Sequence, residues 1–247
     1  MHTIKHLTSV ELKLITREPF TLLFVFVFPI VVLLVLSGVF GTEATEEWQG
    51  TTPANYYAAS YIGTVIAALA LISVPSHLAA YRERGILRRL TASSVSAQAV
   101  LLSQLIVGFL LALGGSLALI LAATLIYDVE MPVSIGGMIL SFTVGALSFV
   151  TLGLLLGSVV PTARSAQAIG LGLFFPMWML SGTGPPPDVM SDTMRSISDV
   201  LPMTRLVSAL QAPWFGDGVT ITELVILVGI LIIAGAAAVY RLRAADQ

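Results

Sequence analysis

Long runs of apolar residues that lack Asp, Glu, Lys and Arg recur along the chain. A helix needs roughly 20 such residues to cross the hydrocarbon core of a bilayer. Six runs approach or exceed this length, and they cover residues 20–40, 56–79, 97–126, 133–160, 166–182 and 224–240. The pattern predicts an all-α, polytopic membrane protein in which residues 1–247 form a single transmembrane domain.

The charged residues divide between the two sides of this predicted topology. With the N-terminus in the cytoplasm, the six crossings place ten of the 12 Lys and Arg residues on the cytoplasmic side, as the positive-inside rule requires. Ten of the 14 acidic residues fall on the opposite side. The cytoplasmic cations are Lys5, Lys13, Arg17, Arg82, Arg84, Arg88, Arg89, Arg164, Arg241 and Arg243. We therefore expect a multi-pass protein of the cell membrane with both termini in the cytoplasm.

The amino-acid composition excludes several kinds of structural and catalytic site. The chain is 56% hydrophobic and 11% charged, and it has no cysteine and three histidines. These counts exclude a disulfide scaffold, thiol catalysis and Cys-ligated zinc. Neither lysine, Lys5 or Lys13, follows a glycine-rich loop, so the sequence has no Walker A phosphate site. We expect no enzyme activity, no metal and no cofactor in this chain, and no nucleic-acid partner.

The apolar runs contain no acidic or basic residue that could act as a proton relay within the membrane. His77 comes closest, near the cytoplasmic end of the second run. Its position favours an interfacial hydrogen bond over a relay. An intramembrane protease would need a serine–histidine pair, paired aspartates or a zinc ligand set, and the runs contain none of these.

Residues 1–19 predict an amphipathic helix at the inner membrane surface. Apolar side chains recur at helical spacing, and Glu11 and Arg17 are the candidate functional residues of this interfacial helix. The helix is expected to end at Glu18 because the following Pro19 disfavours helical backbone there. The apolar positions are Ile4, Leu7, Val10 and Leu14.

Residues 183–220 predict a short helical hairpin on the outer side. Three prolines end the preceding run, and two helical patterns follow, over 188–201 and 203–211. Both are too short to cross the bilayer and too apolar to stand free in water. We expect a re-entrant hairpin that dips into the outer leaflet, with Trp214 and Phe215 at the interface.

Residues 80–96 form the first cytoplasmic loop, where four arginines and one glutamate alternate with apolar residues. One short helix in this loop could present a charged face and an apolar face. Composition supports two interpretations equally, a basic turn that contacts anionic lipid and a docking helix for a cytoplasmic partner.

Glycines in the fourth run form a GxxxG motif at Gly153 and Gly157, which permits close approach of another helix. Small residues pack most helical bundles, so packing inside this chain and packing between subunits both remain open for this motif.

Three stretches of the chain carry a recognisable pattern. They are Glu11 through Arg17-Glu18-Pro19 leading to Phe28-Pro29, then Arg82-Glu83-Arg84-Gly85-Ile86-Leu87-Arg88-Arg89-Leu90, and finally Leu180-Ser181-Gly182 followed by Leu201-Pro202-Met203-Thr204. In this order they resemble the permeases of ABC-2 type exporters, the membrane domains of bacterial drug, lipid and polysaccharide efflux systems. Ser94 stands where a proline is usual, and Thr183-Gly184-Pro185-Pro186-Pro187 replaces an aromatic–proline run.

The resemblance implies a permease with two copies of six helices around a central path, as a homodimer or with a related permease. It implies a separate cytoplasmic ABC ATPase subunit that holds ATP and Mg²⁺. The residues that it implies for coupling to that ATPase are Arg82, Glu83, Arg84, Gly85, Arg88 and Arg89. The expected setting is the bacterial inner membrane, in contact with lipid.

The fifth run supplies the candidate substrate path. Soft and aromatic side chains suit a hydrophobic or amphipathic substrate, such as a drug or a lipid. Ordinary packing or lipid contact explains the same residues equally well. They are Phe174, Phe175, Met177, Trp178 and Met179. A membrane scaffold that moves no substrate, and an intramembrane enzyme, are the alternative functions.

Overall fold

The structure is a computed structural model, and it describes residues 8–9, 11–14, 17–41, 43–48, 50–87, 89 and 96–245. Over these residues all regular secondary structure is helical, without a strand. The predicted all-α class is therefore confirmed. Residues 1–7, 10 and 15–16 of the predicted interfacial helix, and 88 and 90–95 of the predicted coupling loop, lie outside the described part.

Eight helices are labelled here in chain order. They are α1 (Pro19–Phe40), α2 (Pro53–Glu83), α3 (Ala97–Tyr127), α4 (Ile135–Val159), α5 (Ala163–Leu180), α6 (Asp192–Ser198), α7 (Pro202–Phe215) and α8 (Ile221–Ala245). Hydroxyl side chains begin several of them, because an N-cap oxygen can accept an otherwise unpaired backbone N–H. Such N-caps are Thr52, Ser96, Ser134 and Thr162.

In the described part of the chain, five helices are long and apolar enough to cross a membrane, namely α1, α2, α3, α4 and α8. Helix α5, which contains most of the fifth predicted run, has 18 residues but is not among the five. Arg164 and Gln167 lie in its first turns and lower its average hydropathy. The polytopic architecture is confirmed, and the count of six crossings stays a prediction.

Helix α2 forms the centre of the bundle. Every residue from 53 to 75 is buried, and α1, α3, α4, α5 and α7 all contact this helix. A helix that is enclosed on all sides needs small and apolar residues around its whole circumference. The sequence of α2 has this character, because its first charged residue is Arg82.

Glycines bring α4 and α5 against the backbone of α2. A Cβ atom added at Gly153 would lie 2.0 Å from the carbonyl oxygen of Ala70, and one at Gly170 would lie 1.9 Å from that of Leu71. Both carbonyls belong to a wider, π-helical stretch of α2, Leu69–Ser73. Gly157 meets the same helix one turn further on, 2.8 Å from the carbonyl oxygen of Pro75. The GxxxG motif of the sequence thus packs inside this chain.

Helix α5 runs antiparallel to α2 and is bound to it at both ends. The hydroxyl groups of Tyr56 and Tyr57 donate to the carbonyl oxygens of Gly182 and Gly184, at 2.9 and 3.2 Å. At the other end, the Glu83 carboxylate accepts from the backbone N–H of Ala163 at 3.0 Å. Helix α5 therefore extends from one end of the bundle to the other, as α2 does.

The segment between α5 and α8 contains two unlike helices. Helix α6 is exposed, and its apolar side chains Met194 and Ile197 are 39% and 49% accessible. Helix α7 is a core element that packs on α2 and α4. Trp214, expected at the membrane interface, is only 2% accessible, and its indole N–H points to the side-chain oxygen of Asn55 at 3.5 Å. The apolar pattern found the two helices, but it did not distinguish the buried one from the exposed one.

Two glycines of α5 provide a direct test of this packing. We expect Gly170→Ala to destabilise the protein by about 1–3 kcal/mol, because the added Cβ overlaps the α2 backbone and the helices must separate. Gly172→Ala is the matched control, since a Cβ at this position meets no atom within 4 Å. Thermal unfolding of the two purified variants in detergent gives the comparison, and equal midpoints would contradict the packing described.

Candidate functional site

The last turn of α2 carries the charged residues predicted for coupling. The helix ends where Gly85 takes a left-handed backbone, with φ of +67°, a conformation that glycine adopts without strain. Beyond it, the N–H of Arg89 bonds the carbonyl oxygen of Gly85, and Leu87 is buried in the core. The sequence Arg-Gly thus ends α2.

Arg82 binds the end of α4. Its guanidinium donates to the carbonyl oxygens of Gly157 and Val160, at 3.1 and 2.9 Å. The last carbonyl groups of a helix have no partner within the helix and carry partial negative charge. The half-buried guanidinium of Arg82 gives these carbonyl groups hydrogen-bond partners and places a positive charge beside their partial negative charge.

Glu83 binds the beginning of α5. Its carboxylate accepts from the N–H of Ala163, the first residue of that helix. The N-terminal end of a helix carries partial positive charge, so a carboxylate is favoured there. Arg82 and Glu83 therefore bind the two sides of the short turn that joins α4 to α5, residues 160–162.

Three more of the predicted coupling residues are the arginines Arg84, Arg88 and Arg89. Arg84 and Arg89 are exposed on the surface, and Arg88 lies outside the described residues. Arg82 and Glu83 thus bind backbone atoms at the ends of α4 and α5, and Glu83 is exposed like Arg84 and Arg89. Sequence spacing alone does not separate these two groups, because the partner of Glu83 is a backbone N–H 80 residues further along the chain.

Glu11 is buried against α3. Its side chain is 1% accessible, and it accepts from the Ser103 hydroxyl at 3.1 Å. Burial raises the pKa of Glu11 from 4.5 to about 7, although the hydrogen bond from Ser103 acts in the opposite direction. The sequence contains a signal for this burial, because Glu11 follows Leu7 by four residues and precedes Leu14 by three and so falls on the apolar side. Arg17, the second predicted residue of this segment, is exposed.

A second carboxylate connects the start of α1 to α2. Glu18 lies 3.4 Å from the Nδ1 atom of His77, whose side chain is 5% accessible. This placement matches the interfacial hydrogen bond expected for His77. The contacts of Glu11, Glu18, Arg82 and Glu83 collect at one end of the bundle, which we call the charged end.

The predicted path residues of α5 do not converge on one cavity. Phe174 is fully buried, and its ring packs against that of Phe28 at 6.1 Å. Phe175 is 38% accessible. Met177 lines an open apolar cavity of about 710 Å³ between α4 and α5.

Trp178 lines a different cavity, of about 390 Å³, near the far end of the bundle. The walls of that cavity come from α1, α2 and the turn after α5. Its aromatic lining consists of Phe40, Trp48, Tyr57 and Trp178. Aromatic and apolar walls of this kind suit a hydrophobic guest better than an ion.

Among the described residues, no group of three or more His, Cys, Asp or Glu side chains could hold a metal ion. The features that stand out are a bundle of apolar helices, a central buried helix and a charged turn at one end of that helix. Together they define a polytopic helical membrane protein.

A family model described as ABC-2 type transporter matches residues 2–215. This match covers most of the 247 residues, and the chain therefore belongs to the ABC-2 type transporter family. The resemblance found in the sequence is confirmed, and the chain is an ABC transporter permease that spans the membrane. The family implies an ABC ATPase partner and typically a dimer. No individually curated protein matches the chain.

The raised pKa of Glu11 predicts a pH-dependent stability. Its folded-state pKa of about 7 exceeds the unfolded value of 4.5. The contribution of Glu11 to the stability of the fold is therefore complete below the unfolded pKa. The contribution is lost as the pH rises through 7. Between the two pKa values the loss of unfolding free energy is on the order of 3 kcal/mol. We expect the unfolding temperature of the purified permease to fall between pH 5 and pH 8 by more than that of Glu11→Gln.

Other groups near Glu11 must be separated from its effect. Tyr81 lies close enough to interact with the charges of Glu11 and Glu18, and His77 lies beside Glu18 at the same end of the bundle. The informative quantity is therefore the difference between wild type and Glu11→Gln across the pH series. Glu43→Gln, at an exposed carboxylate, is the control that should keep the wild-type dependence. An unchanged dependence in Glu11→Gln would refute the assignment.

Proposed function

We propose that this chain is the permease subunit of an ATP-driven exporter, with a separate ABC ATPase docked at the charged end. The observation that carries the proposal is a charged, partly exposed turn at the end of the fully enclosed α2, in a chain of the ABC-2 family. Since the sequence contains no Walker A motif, ATP and Mg²⁺ would bind to the partner subunit. No observation favours a scaffold without transport.

We infer that α5 is a sixth crossing, in addition to the five apolar helices. Its two ends are bonded to the two ends of α2, so it covers the same distance through the bundle. The charges support the same topology, because five arginines lie at the charged end, together with Glu11, Glu18 and Glu83, and five acidic residues lie at the other end. The basic group contains Arg17, Arg82, Arg84, Arg164 and Arg241, and the acidic group contains Glu43, Asp128, Glu130, Asp217 and Glu223. By the positive-inside rule the charged end is cytoplasmic, together with both termini.

The substrate is proposed to be hydrophobic or amphipathic, such as a drug or a lipid. The cavities beside α5 are apolar and open to the outside of the single chain. A second copy, or a related permease, would enclose the side chains of Phe175, Met177 and Trp178 in a shared path. Phe174 is better assigned to the core of the subunit, because it has no accessible surface.

A chain without native cysteine allows the six-span topology to be tested by single-cysteine labelling. We expect an impermeant thiol reagent added to intact cells to label Thr45→Cys and Asp217→Cys, and to label Ser96→Cys and Arg164→Cys only after the membrane is opened. All four positions are exposed. Asp217 decides the status of α5, because this residue would lie in the cytoplasm if α5 did not cross. Protection of Asp217→Cys would leave five crossings.

Arg84 tests the ATPase contact. If Arg84 faces the partner, Arg84→Gln should lower permease-stimulated ATP hydrolysis, since a charge lost from a partner interface costs about 2 kcal/mol or more. Arg164→Gln removes the same charge from an exposed residue at the same end and should retain stimulation. The assay uses the permease reconstituted with its ATPase in vesicles. Equal effects of the two changes would favour a general attraction to anionic lipid, at about 1 kcal/mol per cation.

A further inference from the structure

We infer that Arg82 and Glu83 are positioning residues that join the coupling turn to α4 and α5, and that they do not contact the ATPase. This inference rests on the proposed function. It divides the charged segment by the contacts that its side chains make, into Arg84 and Arg89, which would meet the partner, and a second part that transmits the displacement. The second part is called the clamp below, and it consists of the half-buried Arg82, the exposed Glu83 and the backbone atoms that they bind.

The clamp reaches two helices from adjacent residues. Arg82 donates to the carbonyl oxygens of Gly157 and Val160 at the end of α4, at 3.1 and 2.9 Å. Glu83 accepts from the N–H of Ala163 at the start of α5, at 3.0 Å. Both side chains therefore bind backbone atoms of their own chain, and each charge has the sign that its helix end favours.

Close packing next to the clamp means that a movement of α2 also moves α4. Gly157 lies against the backbone of α2, where a Cβ atom would be 2.8 Å from the carbonyl oxygen of Pro75. The end of α2 cannot move towards α4 without displacing that helix. Gly85, with its left-handed backbone, lies two residues after Glu83 and has no atom near its Cβ position. The clamp thus lies just before the point where the chain leaves α2.

Three roles for Glu83 predict different results for two substitutions. A glutamine keeps an oxygen that can accept from Ala163 but loses the charge, whereas an alanine loses both. If Glu83 belongs to the clamp, Glu83→Gln should stay close to wild type and Glu83→Ala should be impaired. If Glu83 pairs with a cation of the ATPase, both changes should impair coupling. If the loop only contacts lipid, neither change should matter.

The measurement must distinguish a loss of coupling between ATP hydrolysis and transport from a loss of ATPase binding. We expect Glu83→Ala to retain stimulated ATP hydrolysis, because Arg84 and Arg89 still meet the partner. Transport per ATP hydrolysed should fall about fivefold, the ratio that corresponds to one interaction at a helix N-terminus. A purely structural defect would lower the amount of folded permease and both activities together, so both are normalised to folded protein.

The backbone donor allows an independent test that leaves Glu83 unchanged. Ala163→Pro removes the N–H that Glu83 binds, and proline is well tolerated at the first position of a helix. The preceding residue, Thr162, has φ of −129° and ψ of 153°, which is the region that a residue before proline prefers. Ala163→Pro should therefore fold normally and lose transport per ATP to the same extent as Glu83→Ala.

The double variant Glu83→Ala with Ala163→Pro completes the cycle. If one hydrogen bond accounts for both effects, the double variant should be no worse than either single variant. Additive losses, or wild-type coupling in Ala163→Pro, would overturn the clamp, as would equal impairment of Glu83→Gln and Glu83→Ala. A wild-type permease that stimulates no ATPase would instead refute the proposed function. The two failures are thus distinguishable.

Discussion

At Gly153 and Gly170, α4 and α5 approach the backbone of α2 so closely that neither position has room for a Cβ atom. Helices in a membrane gain little from the hydrophobic effect when they associate, because lipid tails are as apolar as leucine. Close packing of small residues replaces that driving force. The three helices therefore form the part of the bundle whose relative positions are most strongly determined, and α2 is the element around which the others are placed.

Hydrogen bonds at the two ends of α5 add to the close packing at the glycines. Tyr56 and Tyr57 hold the turn after α5, and Arg82 and Glu83 hold the turn before it. Polar groups at helix ends need partners, since an unpaired backbone group away from water costs free energy comparable to a lost hydrogen bond. In this chain α2 supplies many of those partners. Helix α5, the least apolar of the long helices, thus keeps its position without a strongly hydrophobic sequence.

The sequence predicts the helical class, five of the crossings and the location of the charged turn, because these depend on local composition and on run length. It does not predict contacts that depend on a distant backbone. The GxxxG motif at Gly153 fitted packing within or between subunits, and only the position of Ala70 decides between them. The partner of Glu83, the backbone N–H of Ala163, could not be predicted for the same reason. Glu11 could have been recognised from its spacing, whereas the burial of Trp214 depends on the packing of α7 on α2 and α4, which lie far away in the sequence.

The arrangement also limits how such a permease can move. Separating α2 from α4 or α5 would open grooves lined by glycine, and neither lipid tails nor water would fill those grooves as closely as the helix backbone does. The hydrogen bonds at both ends of α5 would be lost in the same step. Under the proposed function, a displacement applied at the charged end would be transmitted through α2, α4 and α5 as one body. The surfaces that remain free to open are those beside the apolar cavities of α5, and we propose that a path for substrate forms there, between this body and a partner copy.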